Sequence, residues 1–581
     1  MASPLKYSKI LAFGYSTLFY GSVLAVTGVF WFIKVARNVP EPYLDEVFHI
    51  RQALAYYDKK FEVWDPKITT PAGLYVASAA FLEGTNTALR GILSLTTQLR
   101  LLNLVGGVYL IYTTCRSLLH YISKYEPGTL AEAEAQSKEA EKKFRAHVGQ
   151  IDYTTLNICL FPPLFFFYSL FYTDVFSTFQ VLNAHLAFYK GNTKLVLRDS
   201  IFALWFRQTN IFWTAIFLGG LQVVKTLKER RPGEDISSGS SFETVAQQSW
   251  QRGVIYDPLV GEANFEDYLK CGVSILSASL ANLQLVLNAL TPYILLLACF
   301  AGFVIWNGGV VLGDKENHTV SIHISQMLYL WPYITFFSLP LLSPYLLSLL
   351  PLPDYLRNYV PRSVPPRLLI TIPILVLMTL IVHHNTLLHP FTLADNRHYT
   401  FYVFRILALR NPAIKYLAVP IYFLCAWAAI SALGDSKPNK ANANANTAAA
   451  IAAKKALSSS LRKPNKEPVG AKVSLLLILL LTTTLSLVAA PLVEPRYFIL
   501  PWLLWRLHLP FPLPTSRLSP ILVETTMKEG YIAMGLRILW ENPLFLETMW
   551  FLLINLVTGY IFLNWGFEWP SEPGKVQRFM W

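Results

Sequence analysis

Residues 10–49 read "ILAFGYSTLFYGSVLAVTGVFWFIKVARNVPEPYLDEVFH". The first twenty-odd positions are almost wholly apolar, and a segment of about 20 such residues is what a helix needs to cross a bilayer. Immediately behind that run come Glu41, the adjacent pair Asp45-Glu46 and His49. Lipid offers an ionised side chain no compensation, so this cluster marks a membrane exit and raises the question of what the acids do there.

The rest of the chain repeats the apolar theme. Of its 581 residues, 53% are hydrophobic and 15% charged, and the mean hydropathy is +0.38. That is the composition of a membrane protein, and backbone amides in lipid must pair within their own segment, so a polytopic all-α fold is expected. Residues 10–35 lack a small-residue cleavage site and are read as a retained signal anchor. The formal charge of +13 is read as cytosolic Lys and Arg between spans, not as a nucleic-acid surface. The five cysteines show no metal or disulfide spacing and are read as small buried hydrophobes.

Assigning the basic loops to the cytosol sends residues 37–98 to the opposite side as a long first loop with short interfacial helices. Residues 123–150, 227–270 and 434–472 are then cytosolic connections, and the chain forms one catalytic membrane domain. Two short crossings are expected to meet at Arg207-Gln208-Thr209-Asn210, because a single pass would leave "KTLKERR" outside. Residues 545–563 are expected to carry the C-terminus to the cytosol. The sequon Asn317-His318-Thr319 falls in an outer loop.

On this topology the unusual polar residues gather on one side: Asp45, Glu46 and His49; Asp174; Arg207; residues 313–323; His389, Asp395, Asn396, Arg397 and His398; Glu494 and Arg496. A partly desolvated carboxylate can act as general base on a sugar hydroxyl, and Arg or His opposite can neutralise a phosphate leaving group. Glycosyl transfer from a lipid phosphate therefore fits without a metal or soluble cofactor. Each element also has a structural alternative. Asp45-Glu46 can be a solvated pair at a helix start, "ADNRHY" an N-capping turn, and Arg207 a headgroup contact or the partner of Asp174. His383-His384 is read as an interfacial pair.

The strings "YLDEVFHIRQA", "WDPKITTPAGLY", "FYTD", "FRQTNIFW", "HPFTLADNRHYTFYV", "RYFILP" and "QRFMW" closely resemble the dolichyl-phosphate-glucose-dependent α-1,2-glucosyltransferases of the endoplasmic reticulum. The resemblance implies a GT-C type fold with a catalytic aspartate in the first lumenal loop. It also implies inverting transfer of glucose from dolichyl phosphate to the terminal glucose of a diglucosylated lipid-linked oligosaccharide. Within that frame Asp45 is the expected base and Glu46 orients the acceptor or the surroundings of Asp45. Arg397, His398, Arg496, Arg207 and His389 are the candidates for the donor phosphate; Trp64, Asp395, Asn396 and His49 are those for sugar. The expected partners are the dolichyl-linked donor and acceptor and the lipids of that membrane, with no nucleic acid and a monomeric enzyme. A transporter or a noncatalytic channel regulator is the alternative.

Overall fold

The computed structural model describes residues 4–89, 91–124, 138–237, 239–313, 315, 322–351, 365–386, 393–434, 470–490, 492–511 and 542–581. The described chain is mostly helical, and its one two-stranded sheet is a C-terminal hairpin, Gly566–Trp569 antiparallel to Glu572–Arg578. Five helices are long and apolar enough to cross a membrane: Tyr15–Asn38, Leu283–Asn307, Leu368–Asn385, Pro412–Leu433 and Pro543–Asn564. A bent pair, Gln326–Phe337 and Leu339–Leu347, makes up to six. Leu283–Asn307 and Leu368–Asn385 leave most of their apolar surface outward, which is the arrangement lipid favours and water does not.

Between these long helices run shorter ones that the bundle buries. Asp174–Tyr189 packs against Thr193–Phe206. The chain then breaks at Arg207 and restarts through a π-turn, Phe212–Phe217, into Leu218–Arg230. The two short helical stretches therefore meet at residues 207–210. Residues 95–124 approach the aromatic turn before Asp174 so closely that a Cβ on Gly107 would lie 2.2 Å from the Tyr168 ring. A small residue at such a contact lets two backbones come together.

Of residues 123–150, read as a helical or flexible insert, positions 138–150 are helical and form the first part of one helix, Lys138–Cys159. Two expectations are revised. In residues 227–270, helix Phe242–Arg252 packs on Phe265–Ala281, and Asp257 accepts hydrogen bonds from Lys228 (2.6 Å) and the Ser474 backbone (2.8 Å). The segment's polar average hides a narrow apolar stripe around Val245. Most of 434–472, the sequon and His389 lie outside the described residues.

The second revision concerns the C-terminus, which lies on the same face as residues 40–97. Arg578 N donates to Tyr43 Oη (2.7 Å), Tyr43 Oη donates to Arg578 O (2.6 Å), and Met580 N donates to Arg397 O (2.9 Å). The difference arises at helix Ile499–Leu507, whose nine residues are too few to read as a membrane span. It is held inside the bundle by an indole bond from Trp505 to Ala429 O and by a two-pronged pair between Arg506 and Glu547, both contacts at 2.8 Å. Asn157 also donates to Glu547 (2.9 Å), so this buried charge is fully partnered. The last helix consequently runs back toward Tyr43.

Candidate active site

The first loop is built around a carboxylate that does not face the site. Glu46 is completely buried and accepts from Arg100 Nε (2.9 Å) and Nη2 (2.6 Å), from Tyr43 N (3.0 Å) and from Phe171 N (2.7 Å). Arg100 uses its remaining donors on the Val39 and Glu41 carbonyls. One buried ion pair thus fixes the exit of the first span to the turn that leads into Asp174. An isolated charge there would be very costly, whereas this one is satisfied on every side.

Asp45, one position earlier, points elsewhere because successive helical positions are rotated by about 100°. It opens helix Glu46–Tyr57 without a capping bond from its side chain, which is half exposed. Leu44 before it holds φ at +52°, a left-handed conformation for a branched residue. Strain of this kind persists where surrounding structure over-determines the backbone, often at functional positions. Asp45 lines a cavity of about 680 Å³, within the ordinary span of small-molecule sites.

The other walls come from distant elements. Asp174 begins its helix and is 2% exposed; its Oδ1 pairs with Arg207 Nη2 at 3.0 Å. Arg207 also lies over the Tyr497 ring, 6.0 Å from its centre. Arg496 is the hub: it contacts Glu494 (2.7 Å), Asp45 (3.5 Å) and Asp174 (3.9 Å) and sits against the rings of Tyr172 and Phe167. Burial opposes the Arg496 charge, but Glu494, Asp174 and Asp45 outweigh it and hold its pKa well above the ordinary arginine value. Among the described residues no cluster of three His, Cys, Asp or Glu side chains is arranged for a metal ion. The charge at the centre of the three carboxylates is a guanidinium.

His49 and His398 also line the cavity. Burial lowers the His49 pKa, and its Nδ1 lies 2.7 Å from the Tyr75 hydroxyl. Trp64 instead lines a neighbouring cavity of about 490 Å³ that shares Phe48 and Lys67 with the first. Arg397, Asp395 and Asn396 are on the site face but do not line either cavity. Arg397 is gripped by Asp395 (2.9 and 2.7 Å) and Gln577 (2.9 Å) and lies 4.3 Å over the Trp569 ring. Asp395 also accepts from the Arg397 backbone (2.9 Å). That is a local turn and not the N-capping alternative, because the next helix opens at His398 with no side-chain cap; the turn closes onto the C-terminal hairpin. Burial raises the Asp395 pKa, yet the Arg397 hydrogen bonds overcome it and hold the carboxyl below its ordinary value. Asn396 is occupied by the Trp569 indole (2.9 Å).

Residues outside the expected base, phosphate and sugar sets are also here, among them Asp174, which is the partner of Arg207 as the alternative reading had it. Asp174 and Glu494 complete the acid ring around Arg496, Arg100 holds Glu46, and Lys67 and Lys315 line the rim. Asp174 and Glu494 each lie at the end of an apolar run, which is the one signal they carried.

The DIE2/ALG10 family matches residues 39–507 of this chain. The chain is 42% identical to the Dol-P-Glc:Glc(2)Man(9)GlcNAc(2)-PP-Dol alpha-1,2-glucosyltransferase of Emericella nidulans, over 95% of this chain and 96% of that protein. It is 41% identical to the protein of the same description from Aspergillus fumigatus, with the same coverage, and 31% identical to that of Homo sapiens, over 95% of each. No solved structure matches it. With its acidic first loop, "FYTD", "FRQTN" and "EPRYF" strings drawn into one cavity and a family match across four fifths of its length, this chain belongs to the DIE2/ALG10 family.

Proposed function

We propose that this chain is an inverting glucosyltransferase of the endoplasmic reticulum membrane with its site on the lumenal face. It moves glucose from dolichyl-phosphate-glucose, in α-1,2 linkage, to the terminal glucose of the diglucosylated dolichyl-pyrophosphate oligosaccharide. The observation that carries this reading is the meeting of Asp45 with Arg496 and Arg207 in one cavity at a membrane face.

Asp45 takes the proton of the acceptor 2-hydroxyl as that oxygen attacks the anomeric carbon. The bond from that carbon to the phosphate oxygen breaks on the opposite side, and the electron pair leaves with dolichyl phosphate. Arg496 orients the acid ring, and Arg207 and His398 face the leaving phosphate. Glu46 acts through position: it fixes the loop that presents Asp45. His49 borders the acceptor side.

Purified protein supplied with dolichyl-phosphate-glucose and either diglucosylated or monoglucosylated acceptor tests the reading. The expected result is an α-1,2 product from the diglucosylated acceptor alone. Transfer to the monoglucosylated acceptor, or a different linkage, contradicts it.

A further inference from the structure

The cavity's two arginines are both bound to carboxylates: Arg207 to Asp174, and Arg496 to Glu494, Asp45 and Asp174. Three acids against two guanidiniums leave this inner wall without surplus positive charge for a phosphodiester, so Arg207 needs further cations beside it. Two further cations line the same cavity, Lys67 and Lys315. Both are exposed, and neither has a carboxylate within ion-pair distance among the described residues. Lys67 rests its ammonium 4.9 Å over the ring of Phe48, itself a lining residue. Lys315 donates to the Asn307 carbonyl at the end of helix Leu283–Asn307.

The two lysines are 248 positions apart in sequence, and a specific crossing of loops brings both to this rim. Thr69 O accepts from Gln208 Nε2 (2.7 Å) and from Leu312 N (3.1 Å), so the first loop, the 207–210 turn and the 308–313 strip meet at one carbonyl. Gly313 makes the crossing possible. Its φ is +65°, and a Cβ there would lie 2.3 Å from Pro66 O and 2.5 Å from Ile68 O, either side of Lys67. Only glycine accepts both the conformation and the approach.

We propose that Lys67 and Lys315 form a two-sided clasp for the phosphate of a polyprenyl-phosphate ligand, gripping the donor and, more strongly, the released lipid phosphate. This rests on the proposed reaction. When the bond between glucose and phosphate breaks, the phosphate passes from one negative charge to two, so ammonium groups placed there stabilise the departing state more than the bound donor. An ammonium suits the task as an unpaired point charge with three donors.

The test measures donor KM, acceptor KM and inhibition by dolichyl phosphate for Lys67→Met, Lys315→Met, the double variant and Lys67→Arg. Thermal stabilisation by dolichyl phosphate alone is measured beside them. Each Met variant is expected to raise donor KM about tenfold. Acceptor KM stays unchanged, dolichyl phosphate inhibition weakens in parallel, and Lys67→Arg regains part of the loss. A double variant that dolichyl phosphate stabilises and inhibits like the wild type overturns the clasp, and so does an equal rise in both KM values. If the wild type binds dolichyl phosphate and the double variant does not, while neither transfers glucose, the clasp stands and the proposed reaction fails.

Discussion

Arg496 Nη1 lies 3.5 Å from Asp45 Oδ2, and the same guanidinium reaches Asp174 and Glu494. A planar fork held against two aromatic rings is not reproduced by an ammonium. Arg496→Lys should therefore lose most transfer activity while folding. Arg496→Met leaves Asp174 buried beside one cation instead of two and should lower the melting temperature as well. Activity and thermal unfolding of the two variants, compared side by side, check this.

Glu46 and Arg100 predict a different phenotype from Asp45. Removing one member of a buried pair leaves an uncompensated charge and costs about 3–5 kcal/mol. Glu46→Gln and Arg100→Met should both fail at the level of folded yield and thermal stability, whereas their neighbour Asp45, half exposed, should tolerate replacement.

The C-terminal hairpin acts as a clasp on the first loop. Tyr43 Oη both donates to and accepts from Arg578, and burial pushes the Tyr43 pKa up to about 12. Tyr43→Phe strands the Arg578 amide and should cost about 1–3 kcal/mol. Limited proteolysis should then release the terminal residues sooner than in the wild type.

His49 makes a pH prediction. Burial depresses its folded pKa below that of the unfolded chain, so the unfolded state binds the proton more readily. Its contribution is fully present above the unfolded value, about 6.5, and is lost as pH falls from there toward the folded value. The difference in melting temperature between wild type and His49→Asn should shrink on acidification below about pH 6.5. A constant difference from pH 5 to 8 contradicts the assignment.

The fold class was legible because lipid imposes long apolar runs, and Asp45, Arg207 and Arg496 were legible as charges at the ends of such runs. Finer distinctions depend on remote partners. Arg397 and Arg496 each follow an acid by two residues, and nothing local separates them. Arg397 is held by Gln577, 180 positions away, and by Trp569, so it braces the hairpin and does not reach the cavity. Asp45 and Glu46 are likewise adjacent acids in sequence, and Arg100, 54 positions later, decides which one is buried. The short helix Ile499–Leu507 is not legible because it is buried inside protein, where length and hydropathy lose their meaning.

The central claim is that Asp45 removes the acceptor proton. The most direct measurement is single-turnover glucose transfer by purified Asp45→Asn, with thermal unfolding recorded on the same sample. A positioned general base contributes roughly 10²–10⁴ in rate. A loss of that size at an unchanged melting temperature is expected, and wild-type turnover in a folded Asp45→Asn protein removes Asp45 from the role of base.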